Sequence, residues 1–166
     1  MEISLIAALD EDGVIGLKTG GLPWKLPAEA AHFRAYCLGK WILLGRRTFA
    51  EMEGWFSTHT ALVLTKAPEK IAPPGIAVTT VEQALAAAQA GGAAELVVAG
   101  GAEVFSLTLP VATRLLLTTV HYHSGGDVFF PRLPQAAWEL TSERHHPATV
   151  NNPLPFTIRT YTRARP

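Results

Sequence analysis

The chain has 166 residues, of which 48% are hydrophobic, and its 14 basic residues balance its 14 acidic ones. This length and hydrophobic content suit one compact core, so residues 1–166 are predicted to form a single domain. The balanced charge gives no global field that would favour nucleic acid or an anionic membrane surface. We therefore expect a small-molecule ligand bound at a local site, and neither a nucleic acid nor a membrane partner.

The amino-terminal segment, MEISLIAALDEDG, has an acidic second residue and only a short apolar run, so it does not fit a secretory signal. Nowhere does an apolar stretch reach the roughly 18 residues that span a bilayer. The single cysteine, Cys37, has no partner for an internal disulfide. These features predict a cytoplasmic protein, which we expect to be a monomer.

Short apolar runs alternate with helical patterns along most of the chain. In chain order the pattern predicts a strand over residues 3–9, a helix from Pro27 to Gly39, a strand over 41–44, a short helix after Gly45, strands over 61–65 and 76–78, a helix from Thr80 to Gly91, a strand over 96–99, a short helix after Gly101, and strands over 115–120, 137–143 and 156–162. The nearly continuous apolar runs are typical of strands covered on both faces. The order predicts an α/β fold, with a mostly parallel central sheet, flanking helices and an antiparallel C-terminal strand pair.

Two junctions between a strand and a helix suit a phosphorylated cofactor. At Gly100 and Gly101 a diglycine lets backbone amides approach a pyrophosphate, although the same pair is also typical of a tight turn. At residues 45–48 (GRRT), two arginines oppose the helix dipole unless an anion is bound there. Thr65 and Lys66 lie at the end of the next predicted strand, and they would complete a clamp for a 2′-phosphate if that strand neighbours the one over residues 41–44, which favours NADP over NAD.

Glu29 is the candidate for contact with a second ligand. It falls in the first turn of the helix that begins at Pro27, and Phe33, four residues later, shares its face. A carboxylate and an aromatic ring would therefore line one wall together. A first-turn glutamate also interacts favourably with the helix dipole, so its placement alone leaves this simpler role open.

Six motifs in one order resemble those of the dihydrofolate reductase family. They are residues 3–9 (ISLIAAL), 13–16 (GVIG), 22–27 (LPWKLP), 45–48 (GRRT), 99–101 (AGG) and 126–131 (GDVFFP). The resemblance runs through nearly the whole chain and implies a dihydrofolate reductase-like fold with NADPH as cofactor. It also implies reduction of 7,8-dihydrofolate to tetrahydrofolate by hydride transfer to pterin C6, with protonation at N5.

The resemblance further implies that Glu29 is the acid that holds the pterin ring, through hydrogen bonds from the 2-amino group and the adjacent ring nitrogen. Burial in an apolar pocket should raise the pKa of this carboxyl. Thr118 matches a threonine that hydrogen-bonds the acid, and Trp24 matches a tryptophan that orders a water near the pterin. Leu22 lies in the segment 13–24, which matches a mobile loop that closes over the nicotinamide.

The other matched residues line the substrate cleft or the cofactor site. The implied substrate-binding residues also include Ile6, Ala8, Phe33, Arg34, Met52, Phe56, His59, Ala99 and Phe105. The implied cofactor-binding residues are Ala8, Ile15, Gly16, Gly45, Arg46, Arg47, Thr48, Thr65, Lys66, Gly100, Gly101, Ala102, Glu103 and Val104. No metal site is expected, because His121 and His123 alternate on a strand without a third ligand of matching spacing.

The sequence departs from the family at the substrate's glutamate tail. His59 aligns with an arginine that pairs with the tail's α-carboxylate, and a mostly neutral histidine cannot replace that bidentate anchor. Two hypotheses follow: the tail binds more weakly, or Arg34 compensates. The departure also leaves open a reductase of a pterin without the tail, and a catalytically silent folate- or nucleotide-binding module. Glu29 with Trp24 argues against a reductase of the ribosylaminopyrimidine in riboflavin synthesis.

Overall fold

The structure is a computed structural model that describes all 166 residues. Its strands are β1 (Glu2–Asp10), β2 (Val14–Gly16), β3 (Trp41–Gly45), β4 (Thr60–Leu64), β5 (Gly75–Val78), β6 (Glu95–Gly100), β7 (Arg114–Val120), β8 (Val128–Phe129), β9 (Trp138–His146) and β10 (Phe156–Arg163). The helices are α1 (Pro27–Cys37), α2 (Arg46–Glu51), α3 (Val81–Ala90) and α4 (Ala102–Thr108). None of them is long and apolar enough to cross a bilayer.

Eight strands form one sheet in the order β5-β4-β3-β6-β1-β7-β10-β9. The pairs from β5 to β7 are all parallel, whereas β10 runs antiparallel to both β7 and β9. The predicted α/β fold, mostly parallel and ending in an antiparallel strand pair, is confirmed. Each predicted strand and helix is present, with ends that differ by a few residues.

A second, two-stranded sheet was not predicted. In it β2 pairs with β8, so that Val14 lies opposite Phe129 and Gly16 opposite Val128. Residues 14–16 therefore form a strand at the start of the segment 13–24, for which the sequence predicts a loop. Strands of three and two residues are too short to show the period that identifies a strand in a sequence.

Helices cover both faces of the main sheet. On one face Leu5, Leu43, Leu96 and Leu115 pack against α3 and α4, and on the other Ile6, Ile42, Leu44 and Leu116 pack against α1. Neighbouring residues of one strand point to opposite faces, which explains the nearly continuous apolar runs. The sheet is therefore a rigid wall whose strand ends are fixed in place.

The predicted cap of α3 is present, with one difference. The hydroxyl oxygen of Thr80 accepts from the Gln83 amide at 3.0 Å, as in a capping box. The Gln83 side chain reaches one residue further than expected, and its Oε1 accepts from the Thr79 amide at 2.7 Å. Behind this cap, Ala84 and Ala88 are fully buried, so α3 lies close against the sheet.

The end of α3 offers a test of this close packing. A Cβ added at Gly91 would overlap the indole ring of Trp41. We expect Gly91→Ala to lower the free energy of unfolding by about 1–3 kcal/mol, measured by urea denaturation. In a Trp41→Phe background, which lacks the overlapping ring atoms, the same substitution should be less destabilising. Equal losses in the two backgrounds would show that the indole is not the cause.

Candidate active site

A cleft of about 1150 Å³ opens where β1, β3, β4 and β6 end. Because these strands are parallel, their carboxyl ends and the segments that follow them meet at one edge of the sheet. Most of the residues predicted for a site line this cleft. They are Ile6, Ala8, Ile15, Gly16, Leu22, Glu29, Phe33, Gly45, Arg46, Arg47, Thr48, Met52, Thr65, Lys66, Ala99, Gly100, Gly101, Ala102, Glu103, Val104 and Phe105.

Glu29 lies in the cleft wall, in the first turn of α1, and only 8% of its surface is exposed. Burial raises the pKa of its carboxyl to about 7, because the ionised form loses water without gaining a cation. The predicted direction of this shift is confirmed. Phe33 lines the same wall, and its ring lies 5.7 Å from that of Trp55.

The expected hydrogen bond between Thr118 and Glu29 is not formed, and burial alone accounts for the raised pKa of the carboxyl. Thr118 is buried within β7, in register with Ala8 of β1. Glu29 lines the cleft, whereas Thr118 does not. The structure therefore lacks this hydrogen bond, and the role of Thr118 stays a prediction.

Trp24 lies in an apolar cluster with Leu26, Phe156 and Ile158 and does not line the cleft. Its indole Nε1 is buried and has no hydrogen-bond partner. A buried donor without a partner is uncommon and unfavourable. This state fits a donor that serves a water or a ligand, the role predicted for it.

The two glycine junctions at the cofactor end pack against each other. A Cβ on Gly45 would lie 3.3 Å from Val104 Cγ2, and one on Gly101 would lie 3.4 Å from Thr48 Oγ1. Gly100 has a φ of +116°, which L side chains rarely adopt. Glycine therefore keeps this surface open for close approach of a ligand to the backbone. The helices that follow have only six and seven residues, so their dipoles contribute less than the sequence suggested.

The same end of the cleft is rich in cations and hydroxyls. Arg46, Lys66 and Lys70 line it, and no acidic residue is paired with any of them. Thr79 and Thr80 add hydroxyls from the start of α3. This set of donors fits the phosphates of NADPH.

Sequence reasoning missed Lys70, Thr79 and Thr80. Lys70 lies in a 3-10 turn after β4, and the threonines follow β5, the next strand of the sheet. Their position could have been found from the rule that parallel strands end at one edge, once β5 was placed beside β4.

Arg47 lines the cleft but already has partners in the protein. Its guanidinium donates to the Lys18 carbonyl and lies 3.7 Å from the Glu51 carboxylate. A guanidinium has five N–H donors, so these contacts leave donors for a phosphate. The predicted role of Arg47 as a phosphate ligand stays a prediction. The structure adds that Arg47 is bonded to the segment 13–24, through the Lys18 carbonyl.

A side pocket of about 340 Å³ adjoins the cleft and shares Phe33, Met52 and Trp55 with it. Three further residues predicted to bind substrate, Arg34, Phe56 and His59, line this pocket. It is where a ligand too long for the main cleft would extend.

Arg34 and His59 are the polar side chains of interest in the side pocket. The Arg34 guanidinium carbon lies 4.2 Å from the ring centroid of Trp55, a residue that sequence reasoning missed. Stacking uses the face of the guanidinium and leaves its in-plane N–H donors available. The His59 ring stands edge-on to Phe56 at 5.8 Å, and its Nδ1 is buried without a partner.

Comparisons with known proteins agree with this geometry. The family model "Dihydrofolate reductase" matches residues 2–163. The chain is 33% identical to dihydrofolate reductase type 3 of Salmonella typhimurium over 99% of this chain and 100% of that protein. It is 31% identical to the Bacillus subtilis dihydrofolate reductase over 96% of this chain and 93% of that one.

A solved structure is similar over the same length. It is dihydrofolate reductase from Enterococcus faecalis, complexed with NADP(H) and RAB-propyl, with a TM-score of 0.91 and 32% identity. The match covers 99% of this chain and 97% of that one. The chain therefore belongs to the dihydrofolate reductase family and catalyses the NADPH-dependent reduction of dihydrofolate.

Proposed function

We propose that Glu29 is the residue that holds the pterin ring of dihydrofolate during this reduction. Glu29, Glu51, Glu82 and Glu103 all line the cleft, and of these four Glu29 alone is buried. Its burial in an apolar wall is the observation that supports this role. The three exposed carboxylates are hydrated. A hydrogen bond from a ligand to one of them therefore only replaces a hydrogen bond to water and adds little binding free energy.

The two oxygens of Glu29 match the two adjacent N–H donors of a pterin. Hydrogen bonds to the ionised form favour that form, so bound pterin lowers the pKa of Glu29 from its value of about 7. The carboxyl is therefore ready to release its proton on substrate binding. The proton passes to solvent, and the negative charge that remains on the carboxylate is stabilised by the pterin donors instead of by water.

NADPH, when bound, supplies the hydride that C6 of dihydrofolate accepts. The protein contributes alignment: the glycines at the ends of β3 and β6 receive the phosphates, and Glu29 fixes the pterin across the cleft. Leu22, half exposed at the rim, covers the reacting rings and limits the access of bulk water. We assign to Trp24 the positioning of the water through which N5 receives its proton.

We also propose that residues 1–166 form a single domain that acts as a monomer in the cytoplasm. One sheet contains both β1 and β10, the first and the last strand of the chain, which supports a single domain. The only cysteine, Cys37, is buried and free, which fits a reducing compartment. Size-exclusion chromatography with light scattering measures the oligomeric state in solution, and we expect the mass of one chain, 17.8 kDa.

The role of Glu29 is tested by removing its charge. In Glu29→Gln one acceptor oxygen becomes a donor that faces the pterin donors, so kcat/KM for dihydrofolate should fall by about 100-fold or more. NADPH oxidation followed by absorbance measures this, and fluorescence titration should give an unchanged Kd for NADPH. Glu82→Gln, at an exposed carboxylate of the same cleft, is the control and should keep its activity. Full activity of Glu29→Gln would contradict the proposal.

The raised pKa of Glu29 also predicts how stability depends on pH. The carboxyl ionises near pH 4.5 in the unfolded chain and near pH 7 in the folded one, so the wild type loses stability as pH rises through this window. Glu29→Gln does not titrate, and its stability relative to the wild type should therefore increase by about 3 kcal/mol between pH 4.5 and 8. Urea unfolding of both proteins at several pH values measures the difference. A difference independent of pH would show that Glu29 is ionised in the folded state.

The side pocket leads to a proposal about the substrate's glutamate tail. We propose that Arg34, stacked on Trp55, binds a tail carboxylate in place of the family's arginine. Arg34→Ala should then raise KM for dihydrofolate about tenfold and leave KM for a dihydropterin without the tail unchanged. His59→Arg should lower KM for dihydrofolate only. If Arg34→Ala raises KM equally for both substrates, Arg34 does not bind the tail. If the wild type prefers the tail-less pterin to dihydrofolate, the alternative of a reductase for a pterin without the tail is favoured.

A further inference from the structure

Helix α1 begins without a capping side chain of its own. Leu26 occupies the N-cap position, and its side chain has no atom that can accept a hydrogen bond. Pro27 has no N–H, and the Ala30 amide already donates to the Leu26 carbonyl at 3.0 Å. The amides of Ala28 and Glu29 are therefore the groups at this end that need acceptors from outside the helix.

Asn152, which lies in the loop between β9 and β10, provides one of these acceptors. The Ala28 amide donates to Asn152 Oδ1 at 2.8 Å, although the two residues are 124 positions apart in the sequence. The pair thus reproduces an N-cap hydrogen bond with a residue from a distant segment. Asparagine is among the best capping residues because its short side chain presents an oxygen to the first turn.

The loop holds Asn152 in a defined place. The backbone amide of Asn152 donates to Thr149 Oγ1 at 3.1 Å, and the backbone amide of Thr149 donates to the backbone carbonyl of Asn152 at 2.8 Å. Pro153 follows directly and restricts the backbone of Asn152 to extended conformations. Leu154 packs against the cluster that contains Trp24 and Leu26, so the loop and the start of α1 share one apolar contact.

The other end of α1 is attached independently. The Tyr36 hydroxyl contacts the Glu95 carboxylate, which also pairs with Lys40 Nζ at 2.9 Å. Loss of the cap should therefore loosen the first turn without detaching the helix. The residue next to the capped amide is Glu29, whose carboxyl depends on that turn for its position in the wall.

We propose that Asn152 is a positioning residue for the reduction, because it caps α1 from the β9–β10 loop and so fixes the carboxyl of Glu29 in the cleft. This inference rests on the proposed role of Glu29 and extends it to a loop that does not line the cleft. It makes the geometry of the pterin site dependent on a side chain outside that site.

The test begins with Asn152→Ala. Loss of the cap should raise KM for dihydrofolate roughly fivefold, with KM for NADPH unchanged. A loosened first turn also hydrates Glu29, so the pH dependence of KM for dihydrofolate should move to lower pH. Asn152→Asp keeps the acceptor and adds a negative charge at the first turn of α1, the turn that contains Glu29, so it should retain tight binding and move the same dependence to higher pH. Asn151→Ala, at an exposed neighbour, is the control and should resemble the wild type.

A double variant separates this inference from the proposed function. In Glu29→Gln, the additional change Asn152→Ala should not weaken dihydrofolate binding further, as measured by fluorescence titration. If Glu29→Gln alone leaves catalysis intact, the proposed function fails and the inference with it. If Asn152→Ala lowers only the Tm, or raises KM for both ligands equally, Asn152 is merely structural and the inference is overturned. Should that variant fail to fold, Thr149→Ala, which only loosens the cap, is judged by the same outcomes.

Discussion

The burial of the Glu29 carboxyl is the constraint on which the rest of the site depends. An ionised carboxylate in an apolar wall is unfavourable without a partner, and the structure provides none within the chain. The group is therefore held near the point of ionisation until a ligand with two N–H donors arrives. Such an arrangement requires a rigid wall, because a small outward movement of α1 would return the carboxyl to water and remove its selectivity for that ligand.

Glu95 shows what the same fold does with a carboxylate that it keeps ionised. It lies at the start of β6, at the edge of the sheet opposite the cleft, and is also largely removed from water. Burial alone would raise the pKa of Glu95, but hydrogen bonds from Ser4, Tyr36 and Lys40 lower it below its ordinary value. The satisfied carboxylate connects α1 to the sheet, whereas the unsatisfied one, at the other end of the same helix, remains available for a ligand. Stability and binding thus use opposite ends of α1.

Local patterns in the sequence were enough to predict the main sheet and the wall that contains Glu29. The apolar runs identify the strands, and the four-residue spacing places Glu29 and Phe33 on one face of α1. Contacts that depend on distant segments could not be predicted in this way. The pairing of β2 with β8, the stacking of Arg34 on Trp55 and the cap from Asn152 join residues whose proximity only the folded chain defines. The predicted hydrogen bond from Thr118 to Glu29, which would join β7 to α1, also depends on distant segments and is not formed in the structure.

The loop between β2 and α1 connects the two halves of the site. Its Lys18 amide donates to the Asp127 side chain at 2.8 Å, while the Lys18 carbonyl accepts from Arg47 at the cofactor end of the cleft. The Leu22 side chain, four residues further along, lines the same cleft. Arg47 is thus the group that ties this loop to the strand end where a phosphate is predicted to bind. If Arg47 binds a phosphate as predicted, its guanidinium would connect cofactor binding to the loop that carries Leu22, because the same group donates to the Lys18 carbonyl.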